Sequence, residues 1–492
     1  MGNTLSMQGC PILSQMKYNH LQSGVNEQRH WPVEEGNLAG ATKSRRTTAP
    51  KAAGGNPQKR SKSRQEPVNP ERSDGDTSEG LTLHVVSHTH WDREWYLPYQ
   101  RFRMRLVEVI DNILHTLDTQ PSFRSFSLDG QTIVLEDYLE IRPQNEEKIR
   151  RYVQEGRLIV GPWYQLMDEF LVSGESIIRS LLIGSRIARD FGASMPVGYL
   201  ADQFGNISQM PQLFRGFGID CCVFGRGVQL ADDQPVEFTW RGPDGSEVLC
   251  SLMAWWYNNA QRFPSDLDAA QNYVKTIAAT MEKRCSSGHL LLMNGVDHLD
   301  VQEDIGPILE GLAAGGEDMS VLHSSLEFYI TCVQRSECNL PVYQGEMRED
   351  RGGSILAGVL STRLYLKRAN SRCETLLERV MEPLAALGWL HGQQYDRDLI
   401  RYAWKRLMWN HPHDSICGCS DDQVHREMMT RFAEVEQVGE ELALRAAHGL
   451  ADRVNVQGPA LVVFNTLGFA RTDLVEAEVD FPLGPPSRDG RR

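Results

Sequence analysis

Two histidines and an aspartate stand at alternate positions in His88-Thr89-His90-Trp91-Asp92, with Arg93, Glu94 and Trp95 directly after them. Imidazole nitrogen and carboxylate oxygen are the donors of a zinc site that keeps one coordination position open for chemistry. The apolar run Leu81–Ser87 ahead of them reads as a strand. Alternate side chains of a strand share one face, so His88, His90 and Asp92 point the same way if the strand stays regular. One histidine there would be an ordinary buried polar group. Two histidines, an aspartate and two tryptophans in so short a stretch argue for a site. Three later clusters offer the remaining donors: Asp202 in Ala201-Asp202-Gln203-Phe204-Gly205, Asp297 in Asn294-Gly295-Val296-Asp297-His298, and His413-Asp414 in Asn410-His411-Pro412-His413-Asp414. Each alone has a bland reading as a helix cap or a core histidine. Together they fit a zinc site of two histidines and two aspartates with a spare acid.

The elements that must position these residues alternate. Strand-like runs at Leu81–Ser87, Phe123–Leu128, Leu158–Trp163, Val197–Leu200, Cys221–Phe224 and Leu290–Met293 are separated by helical runs such as Arg101–Leu117 and Glu175–Asp190. That alternation predicts an α/β fold with a mostly parallel sheet, whose site lies past the carboxyl ends of the strands. His90, Asp129, Asp202 and Arg226 all fall just there. Phe238–Trp240 and Glu247–Trp256 flank Gly242-Pro243-Asp244-Gly245, a hairpin signal. From residue 351 to 455 three long segments, Leu364–Leu390, Arg397–Trp409 and Asp422–Ala451, carry helical periodicity and predict a three-helix bundle. Ala460–Phe464 and Val475–Val479 read as strands, the start of a β-domain over 456–492. Residues 1–80 carry a basic, Ser/Pro/Gly-rich stretch that cannot bury enough apolar surface to order itself, so a disordered tail is expected.

The bulk numbers exclude several classes. With 492 residues the chain holds more than one domain, and 51 Lys+Arg against 65 Asp+Glu give a net charge of −14. No nucleic-acid groove and no membrane span are expected. The N-terminus lacks the apolar core of a secretory leader, and the ten cysteines follow no disulfide framework or paired zinc cage. A cytoplasmic protein with reduced thiols is the expectation, and a homo-oligomer is compatible with all of this.

Four stretches in order, HTHWDREW (88–95), YLADQFGN (199–206), NGVDH (294–298) and NHPHDSICGC (410–419), resemble glycoside hydrolase family 38, the zinc-dependent α-mannosidases. FSLDGQTIVLEDYLE (126–140) and GPWYQLMDEFLVSGES (161–176) extend the likeness, which runs from Leu81 to the C-terminus. The version here is most similar to the bacterial-type branch that includes mannosylglycerate hydrolases; in the Golgi and lysosomal enzymes HNDPGW replaces HWDREW. The resemblance implies that residues 81–350 form a seven-stranded parallel β/α barrel-like catalytic domain. It implies one zinc ion on His90, Asp92, Asp202 and His413, with Asp202 doubling as the nucleophile. Asp297 matches the acid/base position, where the family shows two adjacent aspartates and this chain has Val296-Asp297. Trp95 and Phe204 match residues lining the sugar pocket. Arg226 matches a basic group beside the nucleophile, Asp414 one that binds sugar hydroxyls, and Tyr257 a further substrate contact. The implied substrate is a mannose-containing glycoside or oligosaccharide.

That chemistry is coherent. Retaining hydrolysis needs one carboxylate to attack the anomeric carbon and another to protonate the leaving oxygen. A rival reading is a metal-dependent amidohydrolase or deacetylase, where a HxH at the end of the first strand also binds zinc and metal-bound water attacks. It expects histidines at later strand ends, where this chain has Asp202 and Asp297. A silent sugar-binding relative would be favoured had Asp202 been missing.

Overall fold

The computed structural model describes residues 80–231, 234–315, 319–350, 355–458 and 460–476. The tail expected over 1–80 lies, apart from Gly80, outside these residues. The chain opens with β1 (Thr82–Thr89), α1 (Tyr99–Thr119), β2 (Phe126–Leu128), α2 (Ile133–Leu139), α3 (Glu146–Gln154) and β3 (Leu158–Ile159). It continues through α4 (Gly174–Phe191), β4 (Gly198–Leu200), α5 (Met210–Gly216), β5 (Cys221–Phe224), β6 (Glu237–Arg241) and β7 (Glu247–Leu252). Next come α6 (Leu267–Met281), β8 (His289–Asn294), α7 (Ile305–Ala314), β9 (Ser320–His323), α8 (Leu326–Arg335) and β10 (Val342–Gln344). This is the mixed α/β fold, rich in parallel strands, that the alternation predicts.

Every residue of β1 is buried. Such burial requires partners for its polar side chains: Ser87 Oγ donates to Asn294 Oδ1 at 3.2 Å and His84 Nδ1 lies 2.8 Å from Ser324 Oγ. Helices shield the strands through apolar stripes: on α1, Phe102, Leu106, Ile110, Ile113 and Leu117 recur at helical spacing and are buried. Side-chain caps start several helices, with Ser173 accepting from Ser176 N on α4 and Asp266 from Ala269 N on α6.

The strands fall into two five-stranded sheets, where the resemblance implied a single seven-stranded parallel barrel-like ring. In the first, β1 pairs in parallel with β8 on one edge, and on the other with β9 along its first half and β2 at its end. In the second, β6 and β7 are antiparallel and the remaining pairs parallel. Between the sheets, contacts other than ladders do the joining. The Trp163 indole N–H donates to Tyr199 O at 2.8 Å, and Asn259 Nδ2 donates to Ala254 O at 2.9 Å and Leu291 O at 3.0 Å. Backbone also joins them beside the two-residue β3, where Met195 N donates to Val160 O at 3.0 Å. The short β9 and β10 were not anticipated; at four and three residues they show little periodicity.

Beyond β10, α9 (Leu364–Thr375) and α10 (Glu382–Leu390) run on through a π-helical turn at Leu376–Met381. They pack, with α11 (Arg397–Met408), against α13 (Asp422–Ala451). Between these last two lies α12 (His413–Cys417). Ala460–Phe464 forms no strand, since no described strand lies beside it to take up its backbone groups. Val475–Val479 lies largely outside the described residues. No helix among the described residues is long and apolar enough to cross a membrane, and no described cysteine forms a disulfide.

Ion pairs join the two parts of this architecture, among them Arg179–Glu382 and Lys405–Glu136, and one of them is buried. Glu94, in the loop after β1, accepts from Arg431 of α13 at 2.7 and 2.5 Å, and from Ser415 Oγ at 2.8 Å. Both charged side chains are buried. Arg431 also donates to Trp409 O and Asn410 Oδ1 at 3.0 Å. Removing one partner of such a pair strands the other charge away from water. Arg431→Met is expected to cost about 3–5 kcal/mol, read as a lowered urea midpoint, and a midpoint equal to that of the wild type would show the pair to be dispensable.

Candidate active site

The candidate residues lie just past the carboxyl ends of parallel strands, where a parallel sheet leaves loop backbone and side chains free to converge. β1 leads to His90 and Asp92, β2 to Asp129, β4 to Asp202, β5 to Arg226, β7 to Trp256 and Tyr257, and β8 to Asp297. Two glycines allow the loops to close in. A Cβ on Gly225 would lie 2.0 Å from Ala201 O, and one on Gly295 would lie 1.9 Å from His88 O. These are the approaches that bring Arg226 and Asp297 against neighbouring strands, and His90 and Asp297 form an isolated parallel bridge. His413 arrives from the helical part. Its amide donates to Leu166 O at 3.0 Å, while Pro412 bridges Met167.

At the centre His90 Nε2 and Asp92 Oδ1 are 3.2 Å apart, and Asp92 Oδ1 and His413 Nε2 also 3.2 Å. Asp202 Oδ2 lies 3.3 Å from His413 Nε2 and 3.9 Å from His90 Nε2. His90 Nε2, Asp92 Oδ1 and His413 Nε2 are buried with no hydrogen-bond partner, and lie within 4.8 Å of one another. Orphaned buried donors cost free energy unless something compensates them. A cation held by these three atoms would do so. The imidazole tautomers agree: His90 Nδ1 is 3.1 Å from Asp129 Oδ1 and His413 Nδ1 is 3.4 Å from Leu166 O. Both partners are pure acceptors, so each Nδ1 carries the proton and each Nε2 lone pair faces the pocket. The residues present fit a zinc ion on His90, Asp92, Asp202 and His413.

The carboxylates differ in environment. Burial works against ionisation of Asp202, but the Arg226 guanidinium, bonded through Nε at 2.6 Å, and His413 and His90 outweigh it and hold the carboxyl below its usual range. Burial pushes Asp297 the other way, helped by the like charges of Asp92 and Asp202 and opposed by His90. Asp297 Oδ1 is buried without a partner. Burial and the Asp92 charge push Asp414 up to about 8, with Cys419 Sγ 3.1 Å from its Oδ1; a bound cation would pull it back down.

The remaining expected residues are placed as follows. Phe204 is buried with its ring 5.6 Å from that of His413, and Arg226 stacks 4.9 Å over it and 4.0 Å over Trp256. The Tyr257 ring is 5.1 Å from that of His90, and its side chain opposes the upward push of burial on Asp297. Trp95 is half-buried and packs edge-on against Tyr96, with ring centroids 5.1 Å apart. His88 Nε2 is spent on Tyr257 O at 2.7 Å, a supporting role.

Two functional neighbours had no role in the sequence reading. Asp129 orients His90 and also accepts from Trp91 N and Gln131 Nε2. His298 Nε2 lies 3.2 Å from the Asp92 amide and 3.3 Å from its Oδ2. Asp129, Trp256 and His298 all have left-handed backbone, with φ of 49°, 85° and 53°. Such conformations cost about 1–3 kcal/mol each and gather where side chains must be aimed. The Asp-Gly turn after β2 and the histidine next to Asp297 were the available signals.

Residues 80–346 match the N-terminal domain of the glycosyl hydrolases family 38, and residues 354–450 match the alpha mannosidase middle domain. The chain belongs to glycoside hydrolase family 38. A family relative from Halalkalibacterium halodurans, provisionally named mannosylglycerate hydrolase, is 41% identical over 81% of this chain and 46% of its own. Human Alpha-mannosidase 2C1 is 25% identical over 80% of this chain and 37% of its own. The crystal structure of an alpha-mannosidase from Enterococcus faecalis V583 superposes with a TM-score of 0.73 at 42% identity, over 76% of this chain and 43% of its own. The chain thus spans less than half the length of these family 38 relatives.

The donor cluster sets a measurable expectation. Asp129→Asn leaves all four donors but weakens the acceptor that orients His90, and is expected to lower zinc affinity about 10–100-fold in competition with a chromogenic chelator. An unchanged affinity would remove Asp129 from the site.

Proposed function

We propose that this protein is a zinc-dependent retaining α-mannosidase that removes terminal α-linked mannose from a glycoside or oligosaccharide. One observation carries the reading: two carboxyl groups in one buried pocket are driven apart, Asp202 toward the anion by Arg226 and Asp297 toward the neutral acid by burial. Opposed shifts of this kind suit a nucleophile and a general acid. Family membership supports the substrate class, and the relative named for mannosylglycerate makes a small mannoside a natural first trial. The domain reading that goes with it is a catalytic domain over 81–350 and a helical bundle over 351–455 that brings His413.

In the first step Asp202 attacks the anomeric carbon while the Asp297 carboxyl gives its proton to the leaving oxygen, forming a mannosyl ester on Asp202. In the second, Asp297 takes a proton from water as that water displaces Asp202. Arg226 keeps Asp202 ionised and fixes its Oδ1, leaving the other oxygen facing the pocket. Tyr257 steadies Asp297, and Phe204, Trp95 and Asp414 are assigned to the sugar. Bound zinc supplies positive charge and a template for sugar hydroxyls.

Asp202→Ala is expected to lower kcat on an aryl α-mannoside by about 10³-fold or more, and activity surviving it would end the nucleophile assignment. Chelation should abolish hydrolysis and added zinc restore it. The pH profile follows from the two shifts: activity falls on the acid side as Asp202 protonates, below the usual carboxylate range, and on the basic side as the raised Asp297 loses its proton. Asp297→Asn should remove the basic limb and cost about 10²–10⁴-fold on mannosides with poor leaving groups. The loss should be smaller on activated aryl mannosides, and an intact basic limb in this variant would exclude Asp297 as the acid.

A further inference from the structure

We infer that the chain has a second metal site, formed by His84, His289 and Cys332, for a thiophilic divalent cation such as zinc. The three residues come from β1, β8 and α8, and their donor atoms lie within 4.8 Å of one another. The strand register aligns the histidines. Thr82 pairs with His289 and His84 with Leu291, so in these parallel neighbours His84 and His289 project from the same face of the sheet. Helix α8 covers that face: the Phe328 and Tyr329 rings lie 5.6 and 5.5 Å from His84, and Cys332 follows one turn along the helix.

The histidine chemistry favours coordination. His84 Nδ1 is 2.8 Å from Ser324 Oγ, and that hydroxyl donates onward to Ser325 O at 3.4 Å, so it accepts from Nδ1–H. His84 Nε2 therefore presents its lone pair, 3.0 Å from His289 Nδ1. Tetrahedral zinc with Zn–N near 2.05 Å and Zn–S near 2.3 Å separates two nitrogens by about 3.4 Å and nitrogen from sulfur by about 3.6 Å. The pair needs only a few tenths of an ångström of spreading. His84 is fully buried while His289 and Cys332 are partly exposed, which leaves an entry path and room for water as fourth ligand. Two imidazoles and a thiolate form a softer donor set than the carboxylate-rich catalytic cage.

This site is separate from the first. His84 precedes His90 by six residues along β1, about 20 Å at the rise of a strand, and lies toward the opposite end of the sheet. An ion there would tie α8 to the two central strands.

Cobalt tests it, because only the second site offers a thiolate. The full chain is stripped with a chelator and titrated with Co(II). The wild type is expected to bind about two equivalents, with a near-ultraviolet thiolate-to-cobalt absorption. Cys332→Ser should lose that absorption and one equivalent while keeping the visible cobalt bands of the His90 cage. His289→Ala should keep the thiolate and weaken cobalt binding there at least ~10-fold. A wild-type chain without the thiolate absorption would overturn the proposal. So would an absorption that survives Cys332→Ser, or an affinity unmoved in His289→Ala.

Discussion

The buried Glu94–Arg431 pair is the constraint on which the site depends. Its partners are 337 residues apart in sequence, one in the loop that carries Asp92 and the other on the longest helix. Glu94 also holds Ser415, two residues from His413, and Arg431 holds the carbonyl and side chain just before that segment. A buried ion pair has little net stability to give, because desolvation offsets attraction. What it supplies is register. His413 meets Asp92 and Asp202 at 3.2 and 3.3 Å with this lock on one side and its own amide bond to Leu166 O on the other.

Around that lock the site concentrates charge that an apolar interior would not tolerate. Asp92, Asp202, Asp297, Asp414 and Asp129 are all in or beside one pocket, and Arg226, His90 and His413 balance them only in part. The surroundings are correspondingly rigid. Arg93 binds Asp137 through two hydrogen bonds of 2.7 and 3.0 Å and lies between the Tyr99 and Trp409 rings. The left-handed Asp129, Trp256 and His298 are further signs that packing holds these groups where isolated chain would not place them.

Much of the fold was legible because its signals are local. Asp422–Ala451 was read from periodicity with the bounds the helix has, and the β6–β7 hairpin from its Pro-Asp-Gly turn. The strands that carry site residues were found because buried parallel strands are short apolar runs. The short β9 and β10 gave no such signal, and the division into two sheets depends on which edges pair, a non-local matter. The Ala460–Phe464 strand failed for the same reason: a strand is a relation between segments, and apolar alternation in one of them does not supply the other.

The sequence by itself determined the kinds of donor available, their order and their places at strand ends, because motifs and hydrophobic period are properties of neighbouring residues. It carried His90, Asp92, Asp202, Asp297 and His413 as candidates, and through resemblance their roles. Only the tertiary structure decided how those groups face each other. It turned His88 to a backbone carbonyl, gave His90 its Asp129 partner and Asp92 its His298 neighbour, and gave the Arg226–Asp202 pairing that the resemblance implied its contact through Nε and Oδ1. Coulomb and desolvation effects act through space and burial, which no spacing along the chain encodes.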